Sequence, residues 1–151
     1  MSAYDELMAF QSETEALSQI AGRLGWDQET MMPRGAADQR AAEMAAIEGV
    51  LHARRTDARV GDWLDAAEPV DDVARAQLRH IRRSYTRTMK VPAKLAADLA
   101  RLTSKAQGIW AGARGDEDVA AFLPTLQQVV DLKREEAAAL ADGGGNSDGE
   151  P

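Results

Sequence analysis

The chain contains no cysteine, which excludes disulfides, thiolate metal ligands and a catalytic thiol. That absence also fits a reducing compartment. Aromatic residues are sparse, with two Phe, two Tyr and three Trp in 151 residues. Histidine occurs twice, as His52 and His80. Apolar runs are short, and none approaches the ~18 residues needed to cross a bilayer. The stretch from Met1 to Phe10 carries Asp5 and Glu6 where a signal peptide would carry basic charge. Basic residues are in the minority, 18 Lys and Arg against 25 Asp and Glu, for a formal net charge of −7. Such a balance argues against a nucleic-acid or anionic-membrane role for the domain as a whole. The expectation is a cytoplasmic chain with no membrane and no nucleic-acid partner.

Alanine is abundant, at 29 residues. It is the strongest helix former and fills little space, so the core should rest on close helix–helix contact punctuated by Leu, Ile, Met and the three Trp. Ser2 and Asp5 fit a capping box. Behind them Tyr4, Leu7, Met8, Leu17, Ile20, Ala21 and Leu24 recur at helical spacing, which predicts a helix from about Ala3 to Leu24. The segment Gly25 to Gly35 breaks that pattern. It reads as an apolar linker pinned against helices by Trp26 and one of the methionines. A second helix is expected over Ala36 to Arg54 and a short one from Thr56 and Asp57 to about Ala66. Glu68 and Pro69 read as the opening of a fourth helix, whose stripe is Ala74, Leu78, Ile81, Tyr85 and Met89. That helix ends near Lys90, because Pro92 disfavours helical dihedrals at Val91; Pro92 starts a fifth, with Leu95, Leu99, Leu102, Ala106, Trp110 and Ala113. A final helical region spans about Asp118 to Ala141, with Pro124 either at its start or kinking an early turn. The prediction is all-α, about six helices in an antiparallel bundle or array over residues 1–141, with no sheet. The remaining 142–151 reads as a flexible Gly- and Asp-rich tail.

The chemistry of a hydrolytic zinc site needs three protein ligands and an open position for water. His52 and His80 lie far apart, in Leu-His-Ala and Arg-His-Ile surroundings, and neither belongs to a His-Glu-x-x-His motif. Each reads as a structural residue. No Ser stands beside a His, so a nucleophile with its base is not indicated. Gly143 to Gly145 lack the Gly-Lys-Ser/Thr ending and the preceding strand of a phosphate loop. The paired carboxylates Asp71–Asp72 and Glu135–Glu136 are sequence neighbours on helices and point apart; Asp116 reads as a cap. Arg75, Arg79, Arg82, Arg83 and Arg87 line the fourth helix opposite its apolar stripe. Pairing with acidic neighbours within the chain is the favoured account of that face, and Arg79, Arg83 and Arg87 are its candidate partner-binding residues.

A more specific pattern stands at the break after the first helix. The run Leu24-Gly25-Trp26-Asp27-Gln28-Glu29-Thr30-Met31-Met32-Pro33, followed by Gly35 and Arg40, resembles the N-terminal signature of the carboxypeptidase Taq family of metallocarboxypeptidases. Later stretches agree in order: Arg82-Arg83-x-Tyr85 leading to Val91-Pro92, Trp110 with Ala113-Arg114, Phe122-x-Pro124-x-Leu126, and Leu132-Lys133-Arg134-Glu135-Glu136-Ala137. The resemblance covers nearly everything from Tyr4 to Leu140. It implies mostly helical, homodimeric enzymes of roughly 500 residues with a deep groove. It further implies that zinc or cobalt, held by a His-Glu-x-x-His helix and a downstream glutamate, removes single C-terminal amino acids from peptides. None of those ligands maps onto this sequence, so no catalytic or metal-binding residue and no cofactor is assigned to it. The expectation is a truncated, groove-walling N-terminal part, inactive as a peptidase by itself. The alternative is a stand-alone helical interaction or dimerisation module derived from that enzyme. Trp26, Asp27, Thr30, Met32, Pro33, Arg40, Trp110 and Arg114 are its signature residues. Asp27 is expected either to accept backbone N–H bonds in the next turn or to pair with Arg40, Thr30 to cap a local turn, and Arg114 to stack with Trp110 or clamp a neighbouring helix. A structural lock is the favoured role for the Trp26-to-Arg40 group.

Overall fold

A computed structural model describes residues 2–142 and shows six α-helices and no strand among them. The helices are α1 (Ala3–Thr30), α2 (Ala37–Arg55), α3 (Ala58–Ala66), α4 (Asp72–Lys90), α5 (Ala93–Gly115) and α6 (Val119–Ala141), with a 3-10 turn at Arg34–Ala36 leading into α2. The first helix is closed at its N-terminus by the capping box. Asp5 N–H donates to Ser2 Oγ at 3.2 Å, and Ser2 N–H to Asp5 Oδ2 at 3.0 Å. Asp57, Asp71 and Asp118 cap α3, α4 and α6 in the same chemical manner, each carboxylate accepting a first-turn N–H.

Two packing regions follow from the side chains these helices present. Leu7 and Phe10 of α1 meet Val60 and Leu64 of α3 in a buried cluster, against which Trp63, Leu78, Ile81 and Tyr85 are packed. The α4 stripe read from the sequence is thus the side of α4 that meets the core, apart from Met89, which is exposed. The other region is small-residue packing. Ala41 and Ala45 of α2 and Ala106 and Ala113 of α5 are buried together with Leu51, Leu95 and Leu99. Alanine lets the two helix backbones approach, and α2 with α5 forms the most extensive helix pair of the fold. The last helix lies chiefly on α5 and buries no residue fully.

Polar groups join the regions and close the turns. Arg54 Nη2 donates to Phe10 O at 3.0 Å, its Nε donates to the buried Thr14 Oγ1 at 2.9 Å, and its guanidinium stacks 4.0 Å from the Phe10 ring centre. Trp63 donates its indole N–H to Glu6 at 2.9 Å. In the turn between α5 and α6, Asp118 N–H donates to Ala113 O at 2.8 Å, and Glu117 takes a left-handed conformation at φ 54°.

Four sequence expectations change. The predicted linker from Gly25 is helical to Thr30, so α1 runs 28 residues. Trp26 is 65 % exposed and Met31 70 % exposed, so neither pins the segment, and of the two methionines only Met32 is half-buried. Pro69 precedes the fourth helix instead of opening it, because Asp71 supplies the cap. The core takes no methionine and no fully buried tryptophan. Pro124 lies inside α6, five residues after Val119. The predicted tail lies outside the described residues except Asp142, whose N–H donates to Ala138 O at 2.9 Å.

Candidate functional site

The signature run becomes a junction between α1 and α2 with Arg40 at its centre. Arg40 stands in the first turns of α2 and is only 9 % exposed. Its Nη2 donates to Asp27 Oδ2 at 2.5 Å and its Nε to Glu43 Oε2 at 3.0 Å, and its Nη1 donates to the carbonyl of Leu24. A planar guanidinium can serve three acceptors in this way, and an ammonium cannot. The hydrogen bond to Asp27 holds the Arg40 guanidinium even more firmly protonated than usual. Of the two roles expected for Asp27, the side chain takes the pair with Arg40. The Asp27 carbonyl meanwhile accepts from both Met31 and Met32 N–H at 2.9 Å and closes the helix.

Other signature residues have plainer places. The Thr30 hydroxyl donates back to Trp26 O at 2.7 Å and caps no following turn. Pro33 leads the 3-10 turn, its carbonyl accepting from Ala36 N–H at 2.9 Å. Trp110 and Arg114 stack on each other along α5, the guanidinium 5.5 Å from the ring centre. Neither Trp26 nor Trp110 is brought to the Arg40 junction; both present much of their rings to solvent.

Beside the junction lies a cleft of about 520 Å³ between the end of α1, the start of α2 and α5. Met32, Arg34, Gly108 and Gly112 are among its lining residues. Its base is polar and satisfied. Gln28 Nε2 donates to Ser104 O at 2.8 Å, and Gln28 Oε1 accepts from Ser104 Oγ at 2.7 Å. Lys105 pairs with Asp38 at 2.7 Å, and that hydrogen bond holds the Asp38 carboxyl below its usual range. Sequence reasoning does not single out Gln28, Ser104, Lys105 or Asp38 as a group. Gln28 lies within the signature run, but its partner is 76 residues away. No local pattern carries such a pairing.

The arginine face of α4 is divided. Arg82 donates to Asp65 Oδ1 at 2.8 Å and to Leu64 O at 2.6 Å, and Arg75 pairs with Asp72. Arg79, Arg83 and Arg87 are exposed, and none forms an ion pair among the described residues. The expected intramolecular pairing therefore accounts for two of the five.

The donor set does not fit a hydrolytic metal. His52 is buried, with Nε2 2.6 Å from Val91 O, so that nitrogen carries the proton and ties α2 to the turn before α5. His80 is exposed on α4. Among the described residues no group of three or more His, Cys, Asp or Glu side chains is placed to hold a metal ion. The Arg40 junction is a satisfied structural contact.

A family model described as carboxypeptidase Taq (M32) metallopeptidase matches residues 6–148. The chain belongs to the M32 family. It is 38 % identical over 146 residues to thermostable carboxypeptidase 1 of Thermus thermophilus, a match covering 92 % of this chain and 28 % of that relative. Carboxypeptidase 1 of Bacillus subtilis is 23 % identical over 121 residues, covering 78 % of this chain and 24 % of the relative. Two solved structures share the fold. Trypanosoma cruzi metallocarboxypeptidase 1 superposes with a TM-score of 0.70 at 30 % identity, over 95 % of this chain and 30 % of that one. The BsuCP crystal structure superposes with a TM-score of 0.87 at 18 % identity, over 91 % of this chain and 29 % of that one. The chain thus spans less than a third of the length of these relatives.

Proposed function

We propose that this chain supplies a non-catalytic helical wall of the M32 carboxypeptidase fold, bordering the groove where C-terminal amino acids are released from peptides, and that it does not hydrolyse peptides by itself. The observation that carries this reading is the use made of the signature. Its most buried polar residue, Arg40, is fully engaged in joining α1 to α2, while the two histidines are apart and one is tied to a carbonyl. The test is direct. Purified chain with zinc or cobalt added is incubated with peptides bearing a free C-terminus, and released amino acids are measured by mass spectrometry. No release above background is expected. Sustained, metal-dependent turnover that co-purifies with the chain refutes the reading.

A second reading is favoured by one observation: α6 presents a row of exposed apolar side chains, Val119, Leu123 and Leu126. On this reading the chain self-associates as a helical module, and a homodimer is its working state. The lack of cysteine supports a cytoplasmic location for either. Among the described residues no helix is long and apolar enough to cross a membrane.

A further inference from the structure

Between Val73 and Ala97 the chain carries seven basic residues and no acidic one, in a protein whose formal net charge is −7. Four of the seven have partners. Arg75 pairs with Asp72, Arg82 with Asp65 at 2.8 Å and Lys94 with Asp98 at 2.5 Å, and Lys90 Nζ donates to Leu140 O at 3.3 Å. Arg79, Arg83 and Arg87 are exposed and form no ion pair among the described residues. They recur every four residues, so three guanidiniums follow one another at intervals of about 6 Å along α4. Two carboxylates, Glu48 and Glu136, line the same recess as Arg87. Each has a partner of its own: Glu48 pairs with Arg55 at 3.6 Å and Glu136 with Lys133 at 2.8 Å. The row therefore keeps its positive charge.

Beside the row runs a groove between α4 and α1. Its main part holds about 680 Å³, with Met8, Val73, Ala76 and Ile81 among the side chains that line it. Past Gln11, His80 and Ile81 it continues into a recess of about 240 Å³ that reaches Arg55. Ala76 and His80 line the groove and stand three residues before Arg79 and Arg83, so row and groove occupy adjoining flanks of one helix. Two carboxylates line the groove as well. Asp72 pairs with Arg75, and Glu15 stands on the α1 wall. The α4 side is thus basic, the floor apolar and the α1 side weakly acidic.

We infer that this flank of α4 docks an acidic amphipathic helix of a partner protein. Carboxylates at positions i, i+4 and i+8 of such a helix repeat at the same interval of about 6 Å and meet Arg79, Arg83 and Arg87 in turn. Apolar side chains on its adjoining flank enter the groove, the usual mode of a helix laid in a groove. A duplex nucleic acid fits less well, because the chain as a whole repels a polyanion and the groove floor offers it no contact. The inference is independent of whether the chain walls a peptidase groove.

Fluorescence anisotropy of the full chain with a labelled synthetic peptide tests this. The peptide is helical, with glutamates at i, i+4 and i+8 and leucines on the adjoining flank. Binding is expected, and it weakens as salt rises. The double variant Arg79→Glu, Arg83→Glu weakens it by about tenfold or more, and that variant binds a peptide in which lysines replace the glutamates. Val73→Glu, at an exposed position in the groove, weakens binding of the original peptide, whereas the control Arg101→Glu on α5 leaves it unchanged. Circular dichroism confirms that each variant keeps its helices. No binding up to millimolar peptide overturns the inference, as does binding that survives the double reversal. Affinity unchanged when serines replace the leucines, or matched by a short DNA duplex, overturns it too, because the surface would then be reading charge alone.

Discussion

Arg40 and Asp27 form an ion pair of 2.5 Å that bridges α2 back to the last turn of α1, with the arginine side chain 10 % exposed and the aspartate 41 %. The asymmetry decides what each substitution does. Removing the aspartate leaves a nearly buried guanidinium with Glu43 and Leu24 O still to serve. Removing the arginine frees two carboxylates that water can reach, but strips the Leu24 carbonyl of its donor. Arg40→Ala should therefore cost roughly 1.5–3 kcal/mol of stability, the range for hydrogen bonds involving a charged group. Arg40→Lys should recover less than half of that, since a single ammonium does not span three acceptors. Urea denaturation measures both, and an Arg40→Lys variant as stable as the parent would contradict the junction's role.

The same junction shows where local sequence reasoning stops. Gly25 in a helix costs about 1 kcal/mol relative to Ala, and with the neighbouring Met-Met-Pro it reads as a break. The helix continues because Arg40, sixteen residues beyond Leu24, binds that turn from outside. A tertiary contact overrides a local preference. What is legible is local in origin: the Ser2–Asp5 box, the α4 stripe, the stop at Pro92 and the Asp27–Arg40 option. What is not legible depends on separation in the chain. The Gln28–Ser104 pair joins positions 76 apart, and the exposure of Trp26 and Trp110 depends on which helices fail to cover them. Aromatic content alone carries no such information.

Glycine substitutions separate propensity from packing. Gly22 is inside α1 and exposed, and a Cβ built there meets nothing within 4 Å. Gly22→Ala should stabilise the chain by about 0.5–1 kcal/mol. Gly61 in α3 has the same propensity gain, but its Cβ would sit 3.0 Å from Tyr85 Oη and 3.4 Å from the ring. Tyr85 packs on the core cluster, so Gly61→Ala should gain less or lose stability. Thermal melts of the two variants should differ, with Gly22→Ala higher; equal shifts would mean that Tyr85 moves aside freely.

Glu117 is the described residue other than glycine with a positive φ, at 54°. A side chain in the left-handed region costs on the order of 1 kcal/mol, and glycine adopts it without that cost. Glu117→Gly should raise stability by up to about 1 kcal/mol, less the greater freedom glycine gives the unfolded chain. Glu117→Val should lower it. A urea midpoint that falls for Glu117→Gly would show that the turn between α5 and α6 is held by the carboxylate instead of limited by its backbone.

The cap of α3 gives a pH dependence whose sign is fixed. Asp57 accepts from Arg59 Nε at 3.0 Å, from Arg59 Nη2 at 2.7 Å and from Arg59 N–H at 2.9 Å. The side-chain bonds, then the backbone bond, lower its pKa from 3.8 to about 2. A carboxyl depressed in the folded state contributes its full stabilisation above the unfolded value of 3.8, and loses it as pH falls through about 2. Asp57→Ala should cost about 1 kcal/mol at neutral pH, the usual loss of an N-cap. The stability difference between parent and Asp57→Ala should stay constant from pH 7 to about 5 and then shrink, already smaller at pH 3. Asp57→Asn keeps a neutral acceptor for the Arg59 N–H, so its stability relative to Asp57→Ala should not change over that range. Urea titrations at several pH values would decide the matter. A parent-to-alanine difference as large at pH 2.5 as at pH 7 would show that the charge on Asp57 contributes nothing to holding α3.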